Sequence, residues 1–147
     1  MDTKKYLKAI NTAMEQLKID EGCRLTAYQC TSGVWTIGNG HTAGVKKGDK
    51  ITQAQAEKFL LEDTLEAARD ASSLPVGFDT LNAVRQAVLI NMCFNLGKPK
   101  VLAFKRTLEA IAMRDFENAA LYMLQSRWAA QVKDRAVRLA KKMKSGV

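Results

Sequence analysis

The stretch Glu21-Gly22-Cys23-Arg24-Leu25-Thr26-Ala27-Tyr28-Gln29-Cys30, continued by Gly33-Val34-Trp35-Thr36-Ile37-Gly38-Asn39-Gly40-His41-Thr42, decides how the chain is read. Upstream of it, apolar residues recur every three or four positions. Within it, glycines lie among threonines, aromatics and β-branched residues, and six of the nine glycines fall between positions 22 and 48. Helix therefore gives way to a small antiparallel ribbon of two or three short strands, about residues 23–50, with Ser32-Gly33 and Lys47-Gly48-Asp49 as turns. The ribbon carries an acid, a thiol and a hydroxyl at fixed spacing: eight residues separate Glu21 from Cys30, and five separate Cys30 from Thr36. An odd number of intervening residues lets Cys30 and Thr36 sit opposite each other in a hairpin, with Cβ atoms about 5 Å apart on one face. Glu21 leads into the same ribbon, so one cleft can hold all three.

On the N-terminal side, Tyr6, Ile10, Ala13, Met14, Leu17 and Ile19 predict an amphipathic helix over residues 3–19, capped by Asp2 or Thr3 and stopped by Gly22. On the other side, Thr52 caps a second helix that Ala54, Phe59, Leu60, Leu61, Leu65, Ala67 and Ala68 carry to about Ala71. Its length and its place after the ribbon predict a bridge between two lobes. Residues 72–77 are a break. Asp79 or Thr80 then caps a third helix running from Leu81 to Phe94, apolar nearly all round and so expected at the centre of a bundle. Gly97 is expected to stop it and Pro99 to prevent a restart. Shorter helices follow at about 101–113, 115–125 with Asp115 as cap, 126–130 and 134–145. The fold class is α+β, mainly helical. It forms one domain over residues 1–147: a ribbon lobe over 14–60, a bridging helix over about 52–71, and a helical lobe over 73–147 that the N-terminal helix joins.

The bulk numbers suit this layout. A chain of 147 residues that is 47% hydrophobic can bury a core of its own. No run of about 18 apolar residues indicates a membrane span. Residues 1–20 alternate charge with apolar side chains and lack a signal-peptide core, so synthesis in a cytoplasm without an export signal is expected. Cys23, Cys30 and Cys93 are an odd set and read as free thiols. With one histidine and no Cys-x-x-Cys or His-x-x-x-His pair, no metal site is expected. The net charge of +8 is uneven, with seven basic residues against one acid from Ser126 to Val147. Such a stripe attracts nucleic acid, anionic lipid or acidic wall polymers, unless it is merely a solvated helix face.

Asp20 and Glu21 end the first helix, where the macrodipole disfavours negative charge by a few tenths to about 1 kcal/mol. Placement against local preference points to function, or to an ion pair with the C-terminal helix. Taken alone, without the surrounding frame, Cys30 reads as a small buried hydrophobe. His41 reads as a structural hydrogen-bonder, with Asp63 of the bridging helix as its partner.

These residues resemble the phage-type lysozymes, glycoside hydrolase family 24. The resemblance rests on Asp20-Glu21-Gly22, Arg24-Leu25, Tyr28 and Thr36-Ile37-Gly38 with Gly40-His41, and on Gln55-Ala56-Glu57-Lys58 with Glu62-Asp63. It continues through Asp79-Thr80-Leu81-Asn82-Ala83-Val84-Arg85, Leu89-Ile90-Asn91-Met92-Cys93-Phe94-Asn95-Leu96-Gly97, Ser126-Arg127-Trp128 and Asp134-Arg135-Ala136 with Arg138. It spans about residues 10–146 and implies a lysozyme-like two-lobed fold. It also implies a monomeric hydrolase of the β-1,4 bond between N-acetylmuramic acid and N-acetylglucosamine in peptidoglycan, with no cofactor. The implied catalytic set is Glu21 as general acid, Cys30 at a position where many members carry Asp, and Thr36 holding the attacking water. Implied substrate contacts are Thr42, Phe94, Thr107 and Tyr122, the last standing where the family pattern has an amide. Implied supporting pairs are His41 with Asp63 and Glu21 with Arg135. The thiol leaves several roles open: water positioner, base, nucleophile with retention, or a residue introduced in place of a natural acid.

Two rivals come from other classes. One is a cysteine peptidase or amidase built on Cys30 and His41, which needs a thiol–imidazole hydrogen bond. The other is a nucleic-acid-binding helical protein using the basic C-terminus, which leaves the glycine ribbon without a purpose. For a wall hydrolase, the expectation is release from the host cytoplasm through a holin's membrane lesion to act in the periplasm. Arg135, Arg138, Lys141, Lys142 and Lys144, with Val137, Leu139, Ala140 and Met143, further suggest an amphipathic end that disturbs anionic outer membranes.

Overall fold

The computed structural model describes residues 2–147. Asp2 accepts a hydrogen bond from the Lys4 amide at 3.0 Å and caps a short 3-10 turn, Thr3–Tyr6, that feeds α1 (Leu7–Glu21). Ile10, Ala13 and Leu17 bury the inner face of α1. Gly22 ends the helix at φ 63°, a conformation cheap only for glycine.

The ribbon is a two-stranded antiparallel sheet of β1 (Arg24–Gln29) and β2 (Trp35–Gly38). Its register differs from the sequence expectation: Thr36 faces Tyr28, and Gln29 faces Trp35. The cause is the turn. The Cys30 amide donates to the Val34 carbonyl at 2.9 Å and the Gly33 amide to the Cys30 carbonyl at 2.8 Å, so the loop closes two residues tighter than a direct Cys30–Thr36 pairing needs. Tyr28 and Cys30 alternate onto one face of β1, which leaves Thr36 diagonal to the thiol rather than opposite it. A third segment adds partly: the Ala27 amide donates to the Asp49 carbonyl and the Ile51 amide to the Leu25 carbonyl.

Thr52 caps α2 (Gln53–Ser72) in a reciprocal capping box with Gln55. The helix touches β2 at one end and the helical bundle at the other. Its inner face is Ala56, Leu60, Ala67, Ala68 and Ala71, small enough for α3 (Ala83–Leu96) to pack closely. Residues 86–93 of α3 are all buried, as a central helix requires.

Two boundary readings are corrected. Asn82 caps α3, accepting from the Arg85 amide at 3.0 Å, while Asp79 and Thr80 lie in a 3-10 turn, Phe78–Thr80. Asp79 is engaged by the N-terminal segment instead, taking hydrogen bonds from the Lys5 ammonium and the Tyr6 hydroxyl. Pro99 does not prevent a restart. It sits in the first turn of α4 (Lys98–Leu102), where its missing amide costs nothing.

The bundle closes with α5 (Lys105–Ala112), α6 (Phe116–Leu124) capped by Asp115, α7 (Arg127–Val132) capped by Ser126, and α8 (Asp134–Ser145). The inner face of α8 (Ala136, Leu139, Ala140 and Met143) is buried, and α8 packs chiefly on α6. The apolar half of the expected amphipathic end is therefore spent on the core, leaving Val137 exposed among the basic residues. Among the described residues, no helix is long and apolar enough to cross a membrane.

Candidate active site

Two carboxylates end α1, and α8 answers both. Arg135 donates from Nη1 to Glu21 Oε1 at 2.8 Å and from Nε to Asn91 Oδ1 at 3.0 Å. The Asp20 side chain is wholly buried. It takes Asn91 Nδ2 at 3.0 Å and Arg138 Nη2 at 2.5 Å, with Arg135 Nε 3.5 Å away. Two guanidiniums thus offset the helix-end repulsion that the sequence places there. Glu21 keeps its side chain 20% exposed, so one of the two acids is a buried anchor and the other faces out.

Gly40 fixes the other side of Glu21. Its φ is 77°, and a Cβ placed there would meet Glu21 Oε2 at 2.8 Å. The same turn is tied to the helix end by Asn39, whose Nδ2 donates to the Gly22 carbonyl at 2.5 Å. Next in sequence, His41 Nδ1 pairs with Asp63 Oδ2 at 2.7 Å, and its ring stacks on Phe59 at 4.0 Å between centroids. The pair expected of His41 and Asp63 is present, and so is that of Glu21 and Arg135.

Cys30 is half-exposed at the end of β1 and shares a hydrogen bond with Ser32 Oγ at 3.0 Å. The Ser32 hydroxyl, then the Ser32 and Val34 amides and lastly the Thr36 hydroxyl favour the thiolate, which brings this thiol down to about 7. The Thr36 hydroxyl itself donates to the Val34 carbonyl at 3.0 Å. Burial drives Cys93 the other way, up to about 12. Cys23 is exposed, with Gln53 as its neighbour. Tyr28 links the acid and the thiol: burial raises its phenol first, and the negative charges of Glu21 and Cys30 add to this.

The remaining expected contacts fall into two hollows. Thr42 and Phe94 line a cleft of about 290 Å³, together with Gly40, His41, Asp63 and Gly97. Gly40 connects that cleft to Glu21. Thr107 and Tyr122 line a separate hollow of about 440 Å³ on the helical lobe. The sequence reading missed Asn91 as the residue orienting Arg135, and it missed Gly40 as the close approach to Glu21. Both stood in quoted motifs, but only the fold shows what they touch. The thiol–imidazole pair that a cysteine peptidase needs is not formed. The partner of Cys30 is Ser32, and the partner of His41 is Asp63.

The sequence pattern of the phage lysozyme family matches residues 18–143. A probable T4-type lysozyme of Dictyostelium discoideum is 28% identical over 163 aligned positions, covering 93% of this chain and 96% of that protein. An endolysin of Salmonella phage P22 is 33% identical over 115 positions, 75% of this chain and 77% of that one. An endolysin of Acyrthosiphon pisum secondary endosymbiont phage 1 is 60% identical over 47 positions, 32% of each chain. With that match over most of its length, the chain belongs to the phage lysozyme family, and with it to the peptidoglycan hydrolases.

Proposed function

We propose that the chain is a muramidase, hydrolysing the β-1,4 bond between N-acetylmuramic acid and N-acetylglucosamine. The observation that carries this reading is the seat of Glu21, clamped by Arg135 on one side and by the Gly40 turn on the other, at the edge of the cleft lined by Thr42 and Phe94. Glu21 gives its proton to the departing O4 of N-acetylglucosamine. Water attacks C1 of the muramic acid ring and loses its proton as the bond breaks. Cys30 takes that proton as a thiolate, a form half populated near pH 7, while Thr36 helps hold the water. A thiol at about 9 would be almost wholly protonated there and a poor base.

The biological setting is part of the proposal. The enzyme is made in a host cytoplasm, acts as a monomer, and reaches the periplasmic wall once a holin opens the membrane. The basic surface of α8 draws it to anionic outer membranes by charge alone, because the apolar face of that helix is committed to the core.

The test is digestion of purified peptidoglycan by wild type, Glu21→Gln and Cys30→Ala, with analysis of the new reducing ends. New N-acetylmuramic acid ends are expected from wild type. Loss of general acid catalysis in Glu21→Gln is expected to cost about 10²–10⁴-fold in rate. New N-acetylglucosamine ends, or full activity in Glu21→Gln, would overturn the reading.

A further inference from the structure

Tyr28 stands among the three residues assigned to the reaction and has no part in the steps given to them. It faces Thr36 directly across the hairpin, which puts their Cβ atoms about 4.5–5.5 Å apart. Cys30 lies two positions on along the chain and on the same face. Glu21 ends the helix that feeds this strand. The Arg24 guanidinium lies 4.3 Å from the centroid of the Tyr28 ring, a cation–π contact that steadies a half-buried side chain. Burial keeps the phenol protonated, and the negative charges of Glu21 and Cys30 reinforce this against the pull of Arg24. The result is a neutral O–H between an acid and a thiol. The hydrogen bonds of the site leave that O–H unspent: among the described residues Cys30 pairs with Ser32, Thr36 with Val34 and Glu21 with Arg135, and none with Tyr28.

A water molecule has two protons to give and two lone pairs to fill. In an attacking water, one lone pair points at C1 of the sugar. One proton goes to the Cys30 thiolate. The other proton suits the Thr36 oxygen, because the Thr36 hydroxyl gives its own proton to the Val34 carbonyl at 3.0 Å and is left to accept. The second lone pair then needs a donor. We propose that Tyr28 is a further catalytic residue, its phenol O–H donating to the attacking water and so turning the free lone pair toward C1. The inference rests on the muramidase reading and deepens it. The water oxygen bonds to C1 as the bond from C1 to the departing O4 breaks. A proton of the water passes to the thiolate, and the Glu21 proton passes to O4. Tyr28 keeps its proton throughout.

Tyr28→Phe keeps the ring and its Arg24 contact and removes only the O–H. Rates on purified peptidoglycan are measured at the pH of maximal activity, well below each variant's thermal midpoint. In Tyr28→Phe, kcat is expected to fall about tenfold with KM unchanged, because a bond that aims the water does not help bind the sugar. The same substitution should cost much less in a Thr36→Val background, where the same water is already loosened. The iodoacetamide profile of Cys30, read in a Cys23→Ser background, should stay where it is, since the phenol serves the water and not the sulfur.

A wild-type kcat in Tyr28→Phe overturns the proposal. So does a rise in KM alone, which would make the ring a sugar contact. An alkylation profile moved to higher pH would make the phenol a partner of the thiolate instead, and an equal fold-loss with and without Thr36 would show that the two residues share no water. Each of these results leaves new N-acetylmuramic acid ends forming in the wild type. New N-acetylglucosamine ends, or full activity in Glu21→Gln, would sink the muramidase reading and carry this proposal down with it.

Discussion

At Glu21 the holding contacts come from far away in sequence: Arg135 from 114 positions on, with Asn91 steadying the adjacent Asp20 from 71 positions on. At Cys30 the contact that matters comes from Ser32, two positions on. One member of the proposed reacting pair is placed by the tertiary fold and sits beside a wholly buried carboxylate. The other is placed by a single turn and is half in water. The acid's position therefore reports on the whole bundle, whereas the thiol's chemistry is local. Substitutions at the first end should move stability and activity together, and substitutions at the second should move chemistry alone.

Arg135→Met should have the largest effect. It leaves Asp20 buried with only Arg138 and Asn91 to answer it and removes the clamp on Glu21. Breaking a buried pair by taking one partner costs about 3–5 kcal/mol, to be read from urea unfolding. Adding Asp20→Asn should recover part of that loss by removing a buried charge that has lost one of its two guanidiniums, without recovering activity. If the single variant loses less than about 1 kcal/mol, the two ends of the pair do not differ as described.

Gly40→Ala should come next. A methyl group at φ 77° is strained, and it would stand where the Glu21 carboxylate now lies. Strain of about 1–3 kcal/mol is expected in stability. Displacing the acid by about 1 Å should cost a further 10²-fold in rate. An active Gly40→Ala would show that Glu21 can work from a displaced position and that its tight seat is not needed.

Much of this contrast was legible before the fold was known. Thr52 spells a helix cap, Gly22 a helix stop, and the run from Ala87 to Cys93 a buried helix, because caps and periodicity are local signals. Where the reading failed, it failed where a local signal was ambiguous. Asp79, Thr80 and Asn82 all have cap chemistry, and the choice was made by the N-terminal segment, which occupies Asp79. Pro99 reads alike as a breaker and as a first-turn residue. The hairpin register hung on whether the turn closed from Cys30 to Val34 or from Cys30 to Thr36, and the two-residue tighter closure moved Thr36 from Cys30 to Tyr28. Of the candidate site, spacing and resemblance name the ribbon residues, though spacing misplaces Thr36 opposite Cys30. The roles of Asn91 and Gly40 could not be read so, since they exist only when α3, α8 and the ribbon turn are brought together.

Cys30→Ser tests the local end. The side chain is half-exposed, so stability should stay within about 0.5 kcal/mol of wild type. Activity near neutral pH should fall sharply, because a hydroxyl does not ionise in that range. With the Cys30 thiolate as base and protonated Glu21 as acid, wild-type kcat should trace a bell in pH with one limb set by the thiol at about 7, and Cys30→Asp should remove the limb near 7. A limb that stays near 7 in Cys30→Asp would assign it to another group.

Ser32→Ala should have the smallest effect, and it isolates the turn. The first cause of the lowered thiol is the Ser32 hydroxyl, followed by the amides of Ser32 and Val34, which the substitution leaves in place. The Cys30 thiol should therefore move up from about 7 without regaining its full value of 9.0. Below its pKa a thiol alkylates about tenfold faster per pH unit, so the change is read as a shift of the iodoacetamide rate profile to higher pH in a Cys23→Ser background. Cys93 serves as the internal blank, since burial holds it near 12. The pH–rate profile for wall hydrolysis should shift upward by the same amount if the thiolate is the base. A shifted alkylation profile with an unshifted hydrolysis profile would separate the two, leaving Cys30 as a reactive neighbour of the water rather than the group that takes its proton. Neither profile should depend on Arg135, and that independence is the mark of a locally built thiol beside a globally built acid.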